Sequence, residues 1–177
     1  MDTKTAQKPG EILAVSGPVV EATGMPQVDM YEVVEVGSDR LIGEVVRVDE
    51  DRVTVQVYEY TGGVQPGEPV YPTGHPLSLT LGPGMLGDIF DGIQRPLAKL
   101  LEARGEFIEP GEKVPPLDIE REWHFTPRAE QGEELDGGEI FGVVQETEAI
   151  EHRLLVPPNG GGRVAHIEDE GDFTLND

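Results

Sequence analysis

Cysteine is absent from the chain. Disulfides, thiolate metal sites and cysteine nucleophiles are therefore excluded, which is compatible with a reducing compartment. No apolar run approaches the roughly 18 residues that a membrane-spanning helix requires. The polar residues at 1–8 lack the apolar stretch of a signal peptide. These absences predict a soluble, cytoplasmic protein.

Basic residues are scarce as well. The 177 residues include 13 lysines and arginines against 35 aspartates and glutamates, a formal net charge of −22. Residues 106–177 carry 19 of the acids and 5 of the bases. Such a surface repels phosphate backbones, so nucleic-acid binding is disfavoured. Adaptation to high salt and an ordinary acidic composition both remain open as explanations.

A phosphate-binding loop is also missing. The motif G-x-x-x-x-G-K-[ST] requires a lysine directly after a glycine. None of the lysines in the sequence follows a glycine; they are Lys4, Lys8, Lys99 and Lys113. The residues of this chain are therefore not expected to hydrolyse a nucleotide by themselves.

Short apolar stretches separated by turns dominate the first part of the sequence. The stretches are 12–15, 19–20, 31–36, 41–48, 52–58 and 69–71. The stretch 52–58 alternates strictly, which is typical of a strand with one buried face. Strands of this number and spacing favour a small closed barrel, which also removes exposed strand edges. We predict a β-barrel domain over residues 1–72.

Residues 73–105 have a different character. Glycine and proline are frequent up to Gly87, which predicts a linker. Leu97, Leu100 and Leu101 then have helical spacing, Pro96 suits the first turn, and Gly105 suits the position after the helix. A linker with one short helix is therefore predicted over 73–105.

Residues 106–177 return to short β-type segments. Runs at 140–144 and 154–156 are apolar, residues 163–167 alternate, and residues 168–172 are predicted to form an acidic turn. Residues 132–144 resemble the hairpin of lipoyl or biotinyl carrier domains, but no lysine follows Lys113 to hold a prosthetic group. The predicted fold is mainly β, with a second sandwich-like, lipoyl- or hammerhead-like domain over 106–177.

Several ordered blocks point to a family. The most specific is residues 82–97, which include Asp91-Gly92-Ile93-Gln94-Arg95-Pro96-Leu97. Further blocks lie at 16–20, 41–46, 55–59, 66–70, 123–127 and 150–158. Together they resemble the N-terminal part of the catalytic A subunits of archaeal and vacuolar-type rotary ATPases.

The resemblance implies a division of roles. Residues 1–72 would form a crown barrel that meets the barrels of B subunits. Residues 106–177 would form the insertion called the bulge, with contacts to peripheral stalk subunits. ATP and Mg²⁺ are implied for the parent subunit, which would couple ATP synthesis or hydrolysis to proton or sodium transport. Catalysis by this chain alone is left uncertain, and a free-standing adaptor or regulatory module remains the alternative.

Individual polar residues give no catalytic, cofactor or metal site on this interpretation. The histidines lack metal-ligand spacing and are expected to be structural; they are His75, His124, His152 and His166. The acidic runs 49–51 and 168–170 lack the spacing of a calcium loop. Ser16 and Ser78 lack the setting of a hydrolase nucleophile.

Two further positions admit a sharper interpretation. Arg95 is predicted to pair with Asp88 or Asp91, with a phosphate contact as the alternative. Trp123 and Phe125 would share one strand face. They are predicted to pack in the second domain rather than to stack on a ligand.

Overall fold

A computed structural model describes residues 8–105 and 111–177. It is mainly β, with one short helix, as the sequence predicts. The chain divides into two compact units. The first comprises Met1–Leu79 and Leu100–Lys113, and the second comprises Thr80–Lys99 and Val114–Asp177.

The first unit contains a closed six-stranded antiparallel barrel. Its strands are β1 (Gly10–Ser16), β2 (Val19–Thr23), β3 (Glu32–Val36), β4 (Leu41–Asp49), β5 (Arg52–Val57) and β6 (Pro69–Pro76). Their order around the barrel is β1-β2-β5-β4-β3-β6, and β6 closes it by pairing with both β3 and β1. The predicted barrel is therefore confirmed.

Alternation along the strands creates the barrel core. Val53, Val55 and Val57 of β5 are buried, whereas Arg52 and Gln56 on the same strand are exposed. Gly43 of β4 lies against this strand, and a Cβ there would approach Val55 Cγ1 to 2.7 Å. The glycine thus permits the close approach of two strands that the packed core requires.

Strand β6 extends further than the sequence suggested. Residues 73–76, assigned to the linker, continue the strand and pair with β3. Two contacts hold this proline-containing end in place. Thr73 Oγ1 donates to the Val33 carbonyl at 2.7 Å, and the Gly74 N–H donates to Glu32 Oε1 at 2.7 Å. Side chains thus supply hydrogen bonds along a stretch where prolines cannot donate.

Helix α1 (Leu97–Arg104) is the predicted short helix. Gly105 has a φ of 82° and donates its N–H to the Leu101 carbonyl at 2.8 Å, as a residue that ends a helix does. Leu100 is buried, but Leu101 is 56% exposed. The apolar face expected from the leucine spacing is therefore only partly formed.

The second unit is also β-rich. Its strands are β7 (Trp123–Pro127), β8 (Glu134–Asp136), β9 (Ile140–Gln145), β10 (Glu151–Leu155), β11 (Gly161–Arg163) and β12 (Gly171–Phe173). A four-stranded sheet has the order β10-β9-β7-β12, and β11 pairs with β8 in a two-stranded sheet. The predicted runs at 140–144 and 154–156 lie mostly in strands.

Two details of the sequence interpretation were wrong in this unit. The predicted strand 163–167 is not one, because β11 ends at Arg163. Val164 still exchanges backbone hydrogen bonds with Glu133 and Gly132, and pairing stops there. The predicted acidic turn 168–172 is in part strand β12, because Asp172 pairs with His124 of β7. These local patterns did not reveal which partner strand was available.

Candidate functional site

Residues 80–96 of the second unit carry the most specific sequence block and form the candidate site. Apart from a bridge between Phe90 and Pro96, the segment contains no strand and no helix. Three polar side chains fix its path: Gln94, Asp91 and Glu146. They form separate anchors, which are described in turn.

Gln94 fastens the beginning of the segment to its end. Its amide Nε2 donates to the Thr80 carbonyl and its Oε1 accepts the Thr80 N–H, both at 2.7 Å. The side chain is buried and the backbone has a φ of 64°. Because this left-handed conformation is disfavoured for residues other than glycine, the paired hydrogen bonds help to maintain it.

Asp91 and Arg95 form the second anchor. Asp91 Oδ1 accepts the N–H groups of Ile93 at 3.0 Å and Arg95 at 2.8 Å, and Oδ2 accepts Arg95 Nε at 2.7 Å. Burial favours a higher pKa for Asp91, but these hydrogen bonds outweigh it and hold the pKa below the usual value. The predicted ion pair of Arg95 with a nearby acid is confirmed, with Asp91 as the partner.

Glu146 provides the third anchor from a distant point of the chain. Its Oε1 accepts the N–H of Gly84 at 2.7 Å and of Leu86 at 3.0 Å, while its Oε2 meets His152 Nδ1 at 3.0 Å. The carboxylate side chain is 3% exposed. Burial favours a higher pKa, but the hydrogen bonds from Leu86, Gly84 and His152 together lower the pKa of Glu146.

The four histidines are placed apart. His152 contacts Glu146, and His166 Nε2 lies 2.7 Å from Glu168 Oε1. His124 Nδ1 lies 2.8 Å from Asp172 and its Nε2 lies 3.0 Å from Glu170. His75 Nδ1 lies 3.0 Å from the Pro76 carbonyl oxygen. Each has a local partner, and the structural role expected for these histidines stays a prediction.

The acidic runs occupy different settings. Asp49 ends β4 and residues 50–51 form the tight connection to β5, where Asp51 accepts a hydrogen bond from Thr23 Oγ1 at 2.7 Å. Residues 168–170 precede β12 and supply Glu168 and Glu170 to histidines. Across the described ranges 8–105 and 111–177, the side chains form no group of three or more His, Cys, Asp or Glu residues suited to a metal ion.

Trp123 and Phe125 lie on one face of β7, as predicted. Trp123 is 6% exposed, and the guanidinium of Arg121 lies 4.0 Å from its ring centre. Phe125 contacts Phe173 edge to face, with ring centres 6.1 Å apart. Both aromatic rings of β7 border a cavity of about 620 Å³ within the second unit. The cavity was not expected from the sequence.

Comparison with known protein families connects both units to one family. Residues 12–74 match the beta-barrel domain of the ATP synthase alpha/beta family, and residues 114–177 match the barrel-sandwich domain of the ATP synthase alpha/beta subunits. The chain belongs to the ATP synthase alpha/beta family. The predicted combination of a barrel with a sandwich-like second domain is thereby confirmed.

Individual relatives in this family extend the similarity over nearly the whole chain. The chain is 51% identical over 169 residues to the A subunit of the A-type ATP synthase of Saccharolobus islandicus strain L.S.2.15. It is 50% identical to the same subunit from Saccharolobus solfataricus and 49% identical to that from Metallosphaera sedula. The matches cover 95% of this chain but only 28–29% of the relatives, corresponding to their N-terminal part.

The anchors were only partly visible in the sequence. An ion pair of Arg95 with a nearby acid was predicted, but the sequence left Asp88 and Asp91 open as partners. Glu146 was missed because it lies 62 residues from Gly84, and no local pattern connects the two. Gln94 lies within the most specific family block, but the sequence predicted no particular role for its side chain.

Within the parts of the chain that the structure describes, no helix has the length and apolarity needed to cross a membrane.

Proposed function

We propose that this chain is the assembly portion of the catalytic A-type polypeptide of a rotary ATPase. Its barrel would contact the barrels of neighbouring B subunits in a crown, and its second unit would contact peripheral stalk subunits. The similarity to the A subunits of A-type ATP synthases over 95% of the chain carries this proposal. The parent complex would couple ATP synthesis or hydrolysis to transport of protons or sodium ions and would lie at the cytoplasmic side of a membrane.

The residues of the chain do not fit a site for ATP and Mg²⁺. No glycine stands directly before a lysine in the sequence, so the phosphate-binding motif, with its backbone cradle and its lysine, is missing. The described residues also offer no cluster of three metal-ligating side chains. We therefore assign nucleotide chemistry to other parts of the parent protein. Arg95 receives no catalytic role, because its guanidinium contacts Asp91.

The barrel has surface residues suited to contacts with other subunits. Its core is buried, whereas Leu13 of β1 and Val48 of β4 are about 40% exposed and border the same depression beside the β4–β5 connection. Exposed apolar side chains of this kind can be covered by another protein without any change in the core. We propose this depression as part of the barrel-to-barrel contact.

A chimera tests the assembly role. The 169 matched residues would replace their counterparts in the A subunit of the Saccharolobus solfataricus enzyme, and the product would be purified with that organism's other ATPase subunits. We expect a complex of native size that hydrolyses ATP at a rate within about threefold of the parent. A folded chimera that fails to enter the complex would contradict the proposal.

A surface variant sharpens this test. The double substitution Leu13→Glu and Val48→Glu should reduce incorporation of the chimera at least tenfold without changing its circular dichroism spectrum, because both side chains are exposed. The control replaces Gln56 and Gln65 by glutamate, which adds the same charge at exposed residues of the first unit that do not border the depression. If the control impaired assembly equally, added negative charge and not the loss of the two apolar side chains would be responsible.

The adaptor alternative predicts a different result. An adaptor or regulatory module would bind to a complete ATPase instead of replacing the corresponding N-terminal part of its A subunits. The separate chain would then co-purify with intact complex in a fixed ratio, and the chimera would show no assembly. Size-exclusion chromatography of both mixtures distinguishes these outcomes.

A further inference from the structure

The connection between β10 and β11 contains the pair Asn159-Gly160. Gly160 donates its N–H to the Pro157 carbonyl at 2.8 Å, so residues 157–160 form a four-residue turn with Asn159 at its third position. Asparagine is one of the thermolabile residues of proteins. Its side-chain amide reacts with the main chain of the next residue, and the reaction requires only water besides. Whether it occurs at Asn159 therefore depends on the local geometry of this turn.

The reaction joins two adjacent residues. The Gly160 nitrogen attacks Cγ of Asn159, a C–N bond forms, and the side-chain nitrogen leaves as ammonia with the proton of the Gly160 N–H. The product is a five-membered succinimide ring. Water then opens the ring, giving its hydroxyl group to one of the two carbonyl carbons and its proton to the nitrogen. Opening at Cγ gives aspartate, and opening at the main-chain carbonyl carbon gives isoaspartate, whose main chain passes through Cβ and Cγ.

Glycine at position 160 favours this attack. Gly160 has no Cβ to obstruct the approach of its nitrogen to Cγ of Asn159. The turn itself requires a small residue there, because a Cβ on Gly160 would lie only 3.2 Å from the Pro157 carbonyl oxygen. Within residues 8–105 and 111–177, the side-chain amide of Asn159 takes part in no hydrogen bond that would hold it away from the main chain.

The sequence contains one other asparagine, which provides an internal comparison. Asn176 is followed by Asp177, whose side chain obstructs the approach of its own nitrogen. The Asn176 amide is also engaged, because its Nδ2 donates to the Ile119 carbonyl at 3.4 Å. Asn159 should therefore be the more reactive of the two.

The folded turn slows the reaction without preventing it. Attack requires the Gly160 N–H to leave the Pro157 carbonyl, which removes a hydrogen bond. The segment is also held at both ends. Gly138 donates its N–H to the Val156 carbonyl at 2.9 Å, and Gly161 pairs with Asp136 of β8. The succinimide should therefore form during local opening of the turn.

Isoaspartate does not fit the closed turn. It lengthens the main chain by one methylene group in a segment whose two ends are fixed. The turn also packs against the backbone of Gly137, where a Cβ would lie 2.4 Å from the Pro158 carbonyl oxygen. Strand β11 has three residues and begins directly after Gly160, so a displacement at the turn reaches all of its pairs with β8.

We propose that Asn159 is a site of spontaneous deamidation, and that its isoaspartyl product disrupts the pairing of β11 with β8. The aspartyl product adds a negative charge but no main-chain atom, so it leaves the pairing intact. This inference concerns the second unit and does not depend on the assembly role proposed for the chain.

Incubation of the full chain in neutral buffer tests the site. Mass spectrometry of its peptides detects the loss of the amide, and a protein isoaspartyl methyltransferase labels isoaspartate. We expect products at Asn159 to form about tenfold faster than at Asn176, because only Asn159 precedes a residue without a side chain. In urea the rate at Asn159 should rise about threefold or more, because attack no longer waits for local opening. Asn159→Gln should give no product at this position, because ring closure would need a six-membered ring.

A second measurement concerns the strand pairing. The aged chain would be separated by ion exchange into its unmodified, aspartyl and isoaspartyl fractions, and the backbone amide signals of Leu135 and Gly162 would be followed by NMR. We expect both signals to shift in the isoaspartyl fraction. Freshly prepared Asn159→Asp should keep them in place, which separates the effect of the added charge from that of the longer main chain. Asn159→Gln is the control for loss of the asparagine side chain.

Three results would overturn the proposal. If the urea-unfolded chain formed isoaspartate at position 159 and the folded chain formed none, the turn would block ring closure completely. Equal rates at Asn159 and Asn176 would show that the Asn159-Gly160 pair has no particular reactivity. Unchanged Leu135 and Gly162 signals in the isoaspartyl fraction would show that β11 accommodates the longer main chain. None of these results bears on assembly of the chimera, so the two proposals fail independently.

Discussion

The two units achieve stability in different ways. The barrel encloses a continuous cluster of buried apolar residues, and its closure leaves no strand edge among the barrel strands. The second unit has short strands and a cavity bordered by partly exposed aromatic rings. Its irregular segment is fixed by the buried polar side chains Gln94 and Glu146.

This difference shows that apolar burial and buried polar anchors can each order a β-rich part of one chain. Apolar burial stabilises the barrel in a non-directional way, roughly in proportion to the area removed from water. Hydrogen bonds to a buried carboxylate contribute less in total but specify geometry, and losing one partner leaves a buried polar group unpaired. The barrel should therefore respond most to changes in volume, and the second unit to the loss of individual polar anchors.

The largest expected effect is on the barrel core. Leu41→Ala should lower the free energy of unfolding of the barrel by about 2–5 kcal/mol, because Leu41 is fully buried and truncation leaves a cavity. Leu154→Ala removes the same atoms beside the cavity of the second unit. It should lower the free energy of unfolding by only about 1 kcal/mol, because that side chain is already partly exposed. Urea unfolding measures both values.

Two intrinsic probes separate the units in this experiment. Trp123 lies in the second unit, and all four tyrosines, Tyr31, Tyr58, Tyr60 and Tyr71, lie in the first. Tryptophan emission and tyrosine emission therefore report on different units. Equal losses for Leu41→Ala and Leu154→Ala would show that the difference in burial between the two leucines does not determine their contribution to stability.

The second effect concerns the polar anchor at Glu146. Glu146→Ala should lower the stability of the second unit by about 1–3 kcal/mol, because the N–H groups of Gly84 and Leu86 lose their acceptor. Glu146→Gln keeps an acceptor oxygen and should lose less. Tryptophan-monitored unfolding measures both, and Glu148→Ala on the exposed neighbouring loop serves as the control.

The pH dependence gives an independent check on Glu146. Its folded pKa is lowered, so its contribution is fully present above the ordinary carboxyl pKa and is lost as the pH falls through the folded value. Stability of the second unit should therefore decrease on acidification below about pH 4.5 in the native chain and less steeply in Glu146→Gln. Identical pH profiles would show that the charge of this carboxylate does not contribute to the anchor.

A smaller effect is expected at Asp91. Asp91→Ala removes the acceptor of three hydrogen bonds in a tight turn and should cost about 1–2 kcal/mol, with Asp91→Asn in between. Asp88→Ala is the matched control, because Asp88 was the other predicted partner of Arg95. A larger loss for Asp88→Ala than for Asp91→Ala would show that the anchor had been assigned to the wrong carboxylate.

The smallest effect should occur at the exposed histidine of β7. Hydrogen bonds with Glu170 and then Asp172 raise the pKa of His124. Its stabilising contribution is therefore present below the ordinary histidine pKa and is lost as the pH rises through the folded value. NMR titration should show the His124 pKa falling in Asp172→Asn, and no change in Asp169→Asn.

Local sequence patterns predicted much of the fold for identifiable reasons. The alternation of Val53, Val55 and Val57 marks a strand with one buried face, and glycine after a helix marks its end at Gly105. Nearness in sequence also suggested that Arg95 pairs with Asp88 or Asp91. In each case the interacting groups lie within a few residues of each other, so the sequence itself contains the geometry.

Predictions failed where the partner is distant in sequence. Residues 73–76 looked like linker because they contain Gly74 and Pro76 and follow Pro72, but Glu32 and Val33 hold them in β6. The alternation at 163–167 suggested a strand, but pairing ends at Arg163. Leu101 has the spacing of a core residue and is exposed, because spacing defines a helix face but not what packs against it.

By itself, the sequence determined that the chain is mainly β, that its first part forms a barrel, that no lysine directly follows a glycine, and which family its ordered blocks resemble. These properties depend on composition and on short-range periodicity. Only the tertiary structure decided that Glu146 binds the backbone at Gly84 and that the second unit contains a cavity. It also decided that the Trp123 N–H is left without an acceptor among the described residues. Those properties depend on which distant residues meet when strands pair and sheets pack, and no local pattern encodes that.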